Sequence, residues 1–135
     1  MSSWRELGKR AGDLAALDVR VFGVAADTPE RLRAFRDQLA LPFTQLSDPM
    51  LATADTLESP RATRANLLAT MVLHPVVRTY PRKSFLQPAL FVWRRDGTLA
   101  HEWRQTESSL TNLYGARGRP TADQVLGILR TVITS

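Results

Sequence analysis

The sequence predicts a single α/β domain, and three observations carry that reading. The run VRVFGVAAD, residues 19–27, is β-branched and almost wholly apolar, which suits a strand covered on both faces in a parallel sheet. It lies between two segments whose apolar residues recur every three or four positions, the pattern of amphipathic helices. The stretch FLQPALFVWRRDGTLAHEW, residues 85–103, reads as a proline, a strand, a tight turn and a second strand. A chain of 135 residues suits one domain, expected over 1–135, and a 44% hydrophobic content is enough to build a core.

The elements follow in order. Ser3-Trp4-Arg5-Glu6 has the form of a capping box, and Leu7, Ala11, Leu14 and Leu17 then line one helix face, giving a first helix over about 4–17. After the strand at 19–27, Thr28-Pro29-Glu30 sets a cap, a proline at the first helical position and an acid at the positive helix end. Leu32, Phe35 and Leu39 form the inward face of this second helix. LPFTQLSDP, residues 41–49, is a short strand or extended segment, closed by Asp48 as cap and Pro49 as the opening of a brief helix to about Leu57. Ser59-Pro60 repeats that device before a helix in RATRANLLATMVL, and HPVVRTYPRKS is an extended, proline-broken connection. Asp96-Gly97 makes the hairpin turn, since glycine accepts positive φ without strain. Trp93 and Trp103 sit on adjacent hairpin strands and are expected to pair across them. ESSLTNLYGARGRP is a loop. Thr121 to Gln124 is a second capping box, and Val125, Leu126, Leu129, Val132 and Ile133 form the inward face of a C-terminal helix. The order is α, β, α, connecting helices, β, β, α. Prefixed by one strand it becomes β-α-β-α-β-β-α, the thioredoxin-like fold with its first strand missing.

Composition removes several functions. Without cysteine there are no disulfides, no thiol chemistry and no thiolate metal site. His74 and His101 are far apart and lack ligand spacing, so we expect no metal and no cofactor. The net charge is +5, and only Lys9 and Lys83 are lysines. The arginines are scattered from Arg5 to Arg130, often beside acids, which does not make the basic stripe of a nucleic-acid module. No run approaches the ~20 apolar residues that span a bilayer, and MSSWRELGKRAG lacks the apolar core of a signal peptide. The expectation is a soluble cytoplasmic protein away from membranes.

The segment LAALDVRVFGVAADTPERLRAFRDQLALPFTQLSDP resembles the peroxiredoxin-like redoxins of the AhpC/TSA type, within the thioredoxin superfamily. Such proteins carry a V-x-G-V-S-x-D-like strand end, a helix, then L-P-F-x-x-L-S-D-P; here those positions are 21–27 and 41–49. Residues 88–97 match the family's hairpin, with Pro88 at its cis-proline position, and the resemblance covers nearly all of residues 4–134. It implies a catalytic cysteine at the end of the first strand and the start of the first helix, where roughly half a positive charge lowers a thiol's pKa. Counting back along the family pattern puts that cysteine at or just before Met1. Ser2 and Ser3 are the nearest residues, and a serine does not cycle through sulfenic acid. The motif P-x-x-x-[TS]-x-x-C is absent, and the place of a thiolate-stabilising arginine reads Gln87-Pro88. Ser2, Ser3, Gln87 and Pro88 are therefore the active-site-equivalent region, with no catalytic residue carried over.

The first reading is a catalytically silent redoxin that works through binding or assembly, its protein partner unknown. The alternative is a thiol peroxidase, if a longer native product supplies the strand and the cysteine. A third is a basic nucleic-acid module. Other features have local readings: Asp27 and Asp48 as turn and cap residues rather than an acid/base pair, Trp4 as core, and GARGRP, residues 115–120, as a loop rather than a phosphate cradle. The resemblance places the missing strand between the strands at 19–25 and 89–94. Unpaired backbone groups there must be covered. Either the flanking strands pair directly, Val21 to Phe91, or a second copy covers the edge as a homodimer, which is the favoured expectation.

Overall fold

A computed structural model describes residues 3–59, 75–105 and 119–134. The first amphipathic segment forms two helices, α1 (Ser3–Lys9) and α2 (Ala11–Ala16). The break is at Arg10, whose ψ of 17° leaves the helical region. Its guanidinium then reaches Asp13 at 2.7 Å and also pairs with Asp123 near the C-terminus of the chain. Asp18, at φ 57°, turns the chain into β1 (Phe22–Ala25). α3 (Pro29–Leu39) starts as expected: Thr28 is extended and its hydroxyl accepts from the Arg31 N–H at 3.3 Å. Its inward face is Leu32, buried, with Phe35 and Leu39 half-buried. β2 (Thr44–Ser47) then pairs with β1 in parallel, Phe22 opposite Thr44 through Ala25 opposite Ser47.

α4 (Ala52–Leu57) opens later than the sequence implies, because Leu51 takes a left-handed conformation at φ 58°. Asp48 still caps it, accepting from the Ala52 N–H at 2.8 Å and the Thr53 N–H at 2.9 Å, while Pro49 stays outside. The helix start that Ser59-Pro60 was expected to make lies outside the described residues; Ser59 itself is buried, and among the described residues its hydroxyl has no hydrogen-bond partner. Residues 75–79, expected to be extended, form a 3-10 turn (Pro75–Thr79), locked by Thr79 donating to the Val76 carbonyl at 2.6 Å. The helix expected at 61–73, His74 and most of the loop at 107–120 lie outside the described residues.

The hairpin is β3 (Ala89–Trp93) and β4 (Leu99–Arg104), antiparallel. Its turn is one residue longer than Asp96-Gly97 alone suggests. The Gly97 N–H bonds the Arg94 carbonyl at 3.0 Å, and Arg94 N–H bonds Thr98 at 2.9 Å. That is a three-residue loop with Gly97 at φ 88°, where an L side chain is strained. The register slips at Val92/Trp93, so Trp93 faces Leu99 and Trp103 faces Leu90. The two tryptophans are not cross-strand partners. Instead Trp93 stacks on Phe91, centroids 5.8 Å apart. α5 (Ala122–Thr134) begins with the expected box: Thr121 N–H bonds Gln124 Oε1 at 2.8 Å, and Gln124 N–H bonds Thr121 Oγ1 at 3.1 Å. Leu126 and Leu129 are buried, but Ile133 is exposed and leaves the inward face.

The main cluster is Leu14, Phe43, Leu126 and Leu129, with Trp4, Leu7, Val19, Val21 and Val92 against it. A second cluster gathers Ala26, Leu51 and Ala54 with Tyr80, Phe85 and Leu86. β1 is not covered on both faces. Val19 and Val21 lean on the main cluster and Gly23 is buried, whereas Phe22, Val24 and Leu46 of β2 are exposed. The direct pairing of Val21 with Phe91 does not occur: the described strands form two separate two-stranded sheets, β1–β2 and β3–β4. Val21 and Val92 both pack on the main cluster, so side chains rather than a backbone ladder join the two sheets.

Candidate functional site

The hairpin start positions Gln87 and Pro88. The Pro88 carbonyl accepts from the Gln105 N–H at 2.9 Å, which extends the β3–β4 ladder by one step. The Gln87-Pro88 bond is trans, as are all the described peptide bonds, which corrects the cis expectation at this position. An ordinary proline before a strand meets the local geometry, because it lacks only a donor that the first strand position can spare. Gln87 is 4% exposed, and neither its Oε1 nor its Nε2 has a hydrogen-bond partner. Of the serines, Ser2 lies outside the described residues and Ser3 is the first residue of α1. Helix α1 and strand β3 share the main cluster through Trp4, Leu7 and Val92.

Around this region the arrangement is structural. Asp27 accepts from the Thr28 N–H at 2.8 Å and from Arg31 at 3.3 Å. Burial pushes the Asp48 carboxyl up, but bonds from the Thr53 hydroxyl and from the Thr53 and Ala52 amides together hold it below the usual carboxylate range. Both carboxylates are thus occupied with helix starts, which leaves no acid/base pair. Trp4 packs on Phe43 with ring centroids 5.9 Å apart, the core role expected of it. His101 sits in β4 opposite Val92. Among the described residues no three His, Cys, Asp or Glu converge as a metal site. Arg10, Arg31, Arg36, Arg82, Arg95 and Arg104 all pair with acids, so these cations do not form an open stripe.

Sequence reasoning missed three features. Arg104 donates to the Leu57 carbonyl at 2.8 Å and the Glu58 carbonyl at 3.1 Å, stapling the hairpin to the end of α4, and its guanidinium lies 5.0 Å from the centre of the Phe91 ring. A groove of ≈ 700 Å³ runs between α2 and the starts of β1 and β2, walled by Ala11, Ala15, Val21 and Pro42, with Arg20 as the one charged residue among the described lining. Third, the side-chain amide of Gln45 lies over Gly23, in the space a Cβ there would take, and its Nε2 is buried without a partner. Glycine at 23 inside a strand was the available signal for a close approach.

Among the described residues no helix is long and apolar enough to cross a membrane. Comparison with known proteins finds the AhpC/TSA family, matched over residues 2–102. No curated protein matches the chain.

Proposed function

The chain belongs to the AhpC/TSA family, with the thioredoxin-like α/β fold that membership implies, and we propose that it acts there by binding and self-assembly in the cytoplasm rather than by reducing peroxides. One observation carries this reading: the 135 residues contain no cysteine. The thiolate is the species that attacks a peroxide, and neither serine nor glutamine supplies an equivalent. The partnerless amide of Gln87 supports it, since this position offers no cation to a thiolate. The exposed Phe22, Val24 and Leu46 support assembly, in the form of a homodimer.

A peroxide-consumption assay with a dithiol donor tests the proposal. Turnover equal to the donor-only blank is expected. Turnover above it, in protein of 15.1 kDa confirmed by mass, overturns the reading. The family match favours a second reading, thiol peroxidase, for a native product that carries a cysteine upstream of Met1. Intact-mass analysis of protein from its own cell separates the two.

A further inference from the structure

Helix α4 is joined to the chain by two residues in the left-handed region, and neither is a glycine: Leu51 at φ 58° and Glu58 at φ 55°. For an L residue that conformation is strained, because Cβ crowds the following carbonyl. Leu51 and Ala54 lie against Ala26, the residue after β1, with Tyr80, Phe85 and Leu86 around them. The helix thus covers the carboxyl ends of the parallel pair, the place where α/β sheets open to ligands. Its two ends are held unequally. At the N-terminal end Leu51 is 0% exposed, Asp48 accepts from two amides of the first turn, and Arg82 donates to the Met50 carbonyl at 3.4 Å. At the C-terminal end Glu58 is exposed and gives no such anchor; that end is held by Arg104, whose guanidinium donates to the Leu57 and Glu58 carbonyls. Closure there also buries the Ser59 hydroxyl, which among the described residues has no partner, and burial of an unpaired polar group is unfavourable.

We propose that α4 is a hinged cover over the carboxyl ends of β1 and β2, with Leu51 as its hinge and Arg104 as its latch. When the latch opens, the C-terminal end of α4 lifts while the bonds to Asp48 stay made. Glu58 then leaves the left-handed region and Ser59 reaches water, so two unfavourable features of the closed state are relieved as the two Arg104 bonds are lost. Arg104 is not stranded by the motion. It keeps Glu102 at 3.2 Å and the face of Phe91, both within its own hairpin. Opposing terms of similar size let one element open while the rest of the fold stays closed. The motion uncovers Ala26 and Ala54, which are buried under the latched cover, and the half-buried Phe85 and Leu86 beside them.

The absence of cysteine makes the test clean, because a thiol placed under the cover is the one thiol in the chain. Ala54→Cys and Ala26→Cys put it at positions that are 9% and 4% exposed. Labelling with an aromatic disulfide reagent, followed on the full chain through sub-denaturing urea, reads the opening. Both variants should label at least about tenfold faster than the global equilibrium from urea titration allows, with a slope on urea well below the global one. Arg104→Ala, added to either, should raise labelling about five- to thirtyfold. Glu58→Gly removes the strain of the closed joint and should lower labelling about fivefold. If Ala26→Cys fails to fold by far-UV circular dichroism, Ala54→Cys decides alone. Labelling that tracks global unfolding in rate and slope overturns the cover. Labelling that is indifferent to Arg104→Ala, or raised by Glu58→Gly, overturns the latch.

Discussion

Replacing Gln87 by methionine should stabilise this protein. The side chain is 4% exposed, yet both of its amide atoms lack a partner. Leaving a buried polar group unsatisfied costs about 1–3 kcal/mol. Methionine keeps the length and most of the volume while removing the amide, so Gln87→Met should recover about that amount. The unfolding entropy is about 2.1 cal/mol/K per residue, or about 0.28 kcal/mol/K for 135 residues, so the midpoint should rise by roughly 4–11 °C. Calorimetry and urea titration of the two proteins measure it. Gln87→Glu gives the opposite sign: a buried carboxylate has a raised folded-state pKa, so its penalty grows as pH rises above about 4.3. A lower midpoint for Gln87→Met would refute the reasoning, because it would mean that the amide has a partner worth keeping.

Four other substitutions follow from the same structure. Asp48→Ala removes acceptors from the first turn of α4 and should cost about 0.5–2 kcal/mol at neutral pH. Because the folded-state pKa of Asp48 is lowered, its contribution is full above the unfolded value of about 3.9 and is lost as pH falls through the lower folded value. Urea melts of both proteins should therefore converge in acid. Arg104→Ala frees the Leu57 and Glu58 carbonyls and should cost about 1–2 kcal/mol, with faster amide exchange localised to α4 and the hairpin. Gly97→Ala forces an L side chain to φ 88° and should cost about 1–2 kcal/mol in thermal melts. Leu126→Ala opens the centre of the main cluster and should cost about 2–5 kcal/mol by urea titration.

What the sequence made legible was local. Thr28 with Pro29, and Thr121 with Gln124, bond within four residues of themselves, so their spacing is their mechanism. The family resemblance was equally legible, since LPFTQLSDP and VRVFGVAAD are contiguous. What escaped depends on residues far apart. Arg104 meets Leu57 and Glu58 across 47 and 46 positions, and nothing in either segment announces the other. Arg10 leaves the helical region where Asp123, 113 positions away, offers it a partner. A glutamine before a proline carries no sign that its amide will be buried unpaired. The state of the Gln87-Pro88 bond is likewise set by packing around the hairpin, and it came out trans. The exposed face of β1 was misread because an apolar run looks the same whether one face or both are covered.

The separation of the two sheets bears on how the molecule comes apart. β1, α3 and β2 close on one another within residues 22–47, and the hairpin closes within residues 89–104. Each ladder can therefore form from sequence-local contacts, the kind that cost least loop entropy. Among the described residues no ladder hydrogen bond links one pair of strands to the other. Mutual dependence is carried by the interlocked side chains of Leu14, Phe43, Leu126 and Leu129, by the second cluster under Tyr80 and Phe85, and by the reach of Arg104. Loosening that packing turns one cooperative transition into two, with a βαβ unit and a hairpin melting on separate schedules. Their amides would then exchange as two independent families rather than as one.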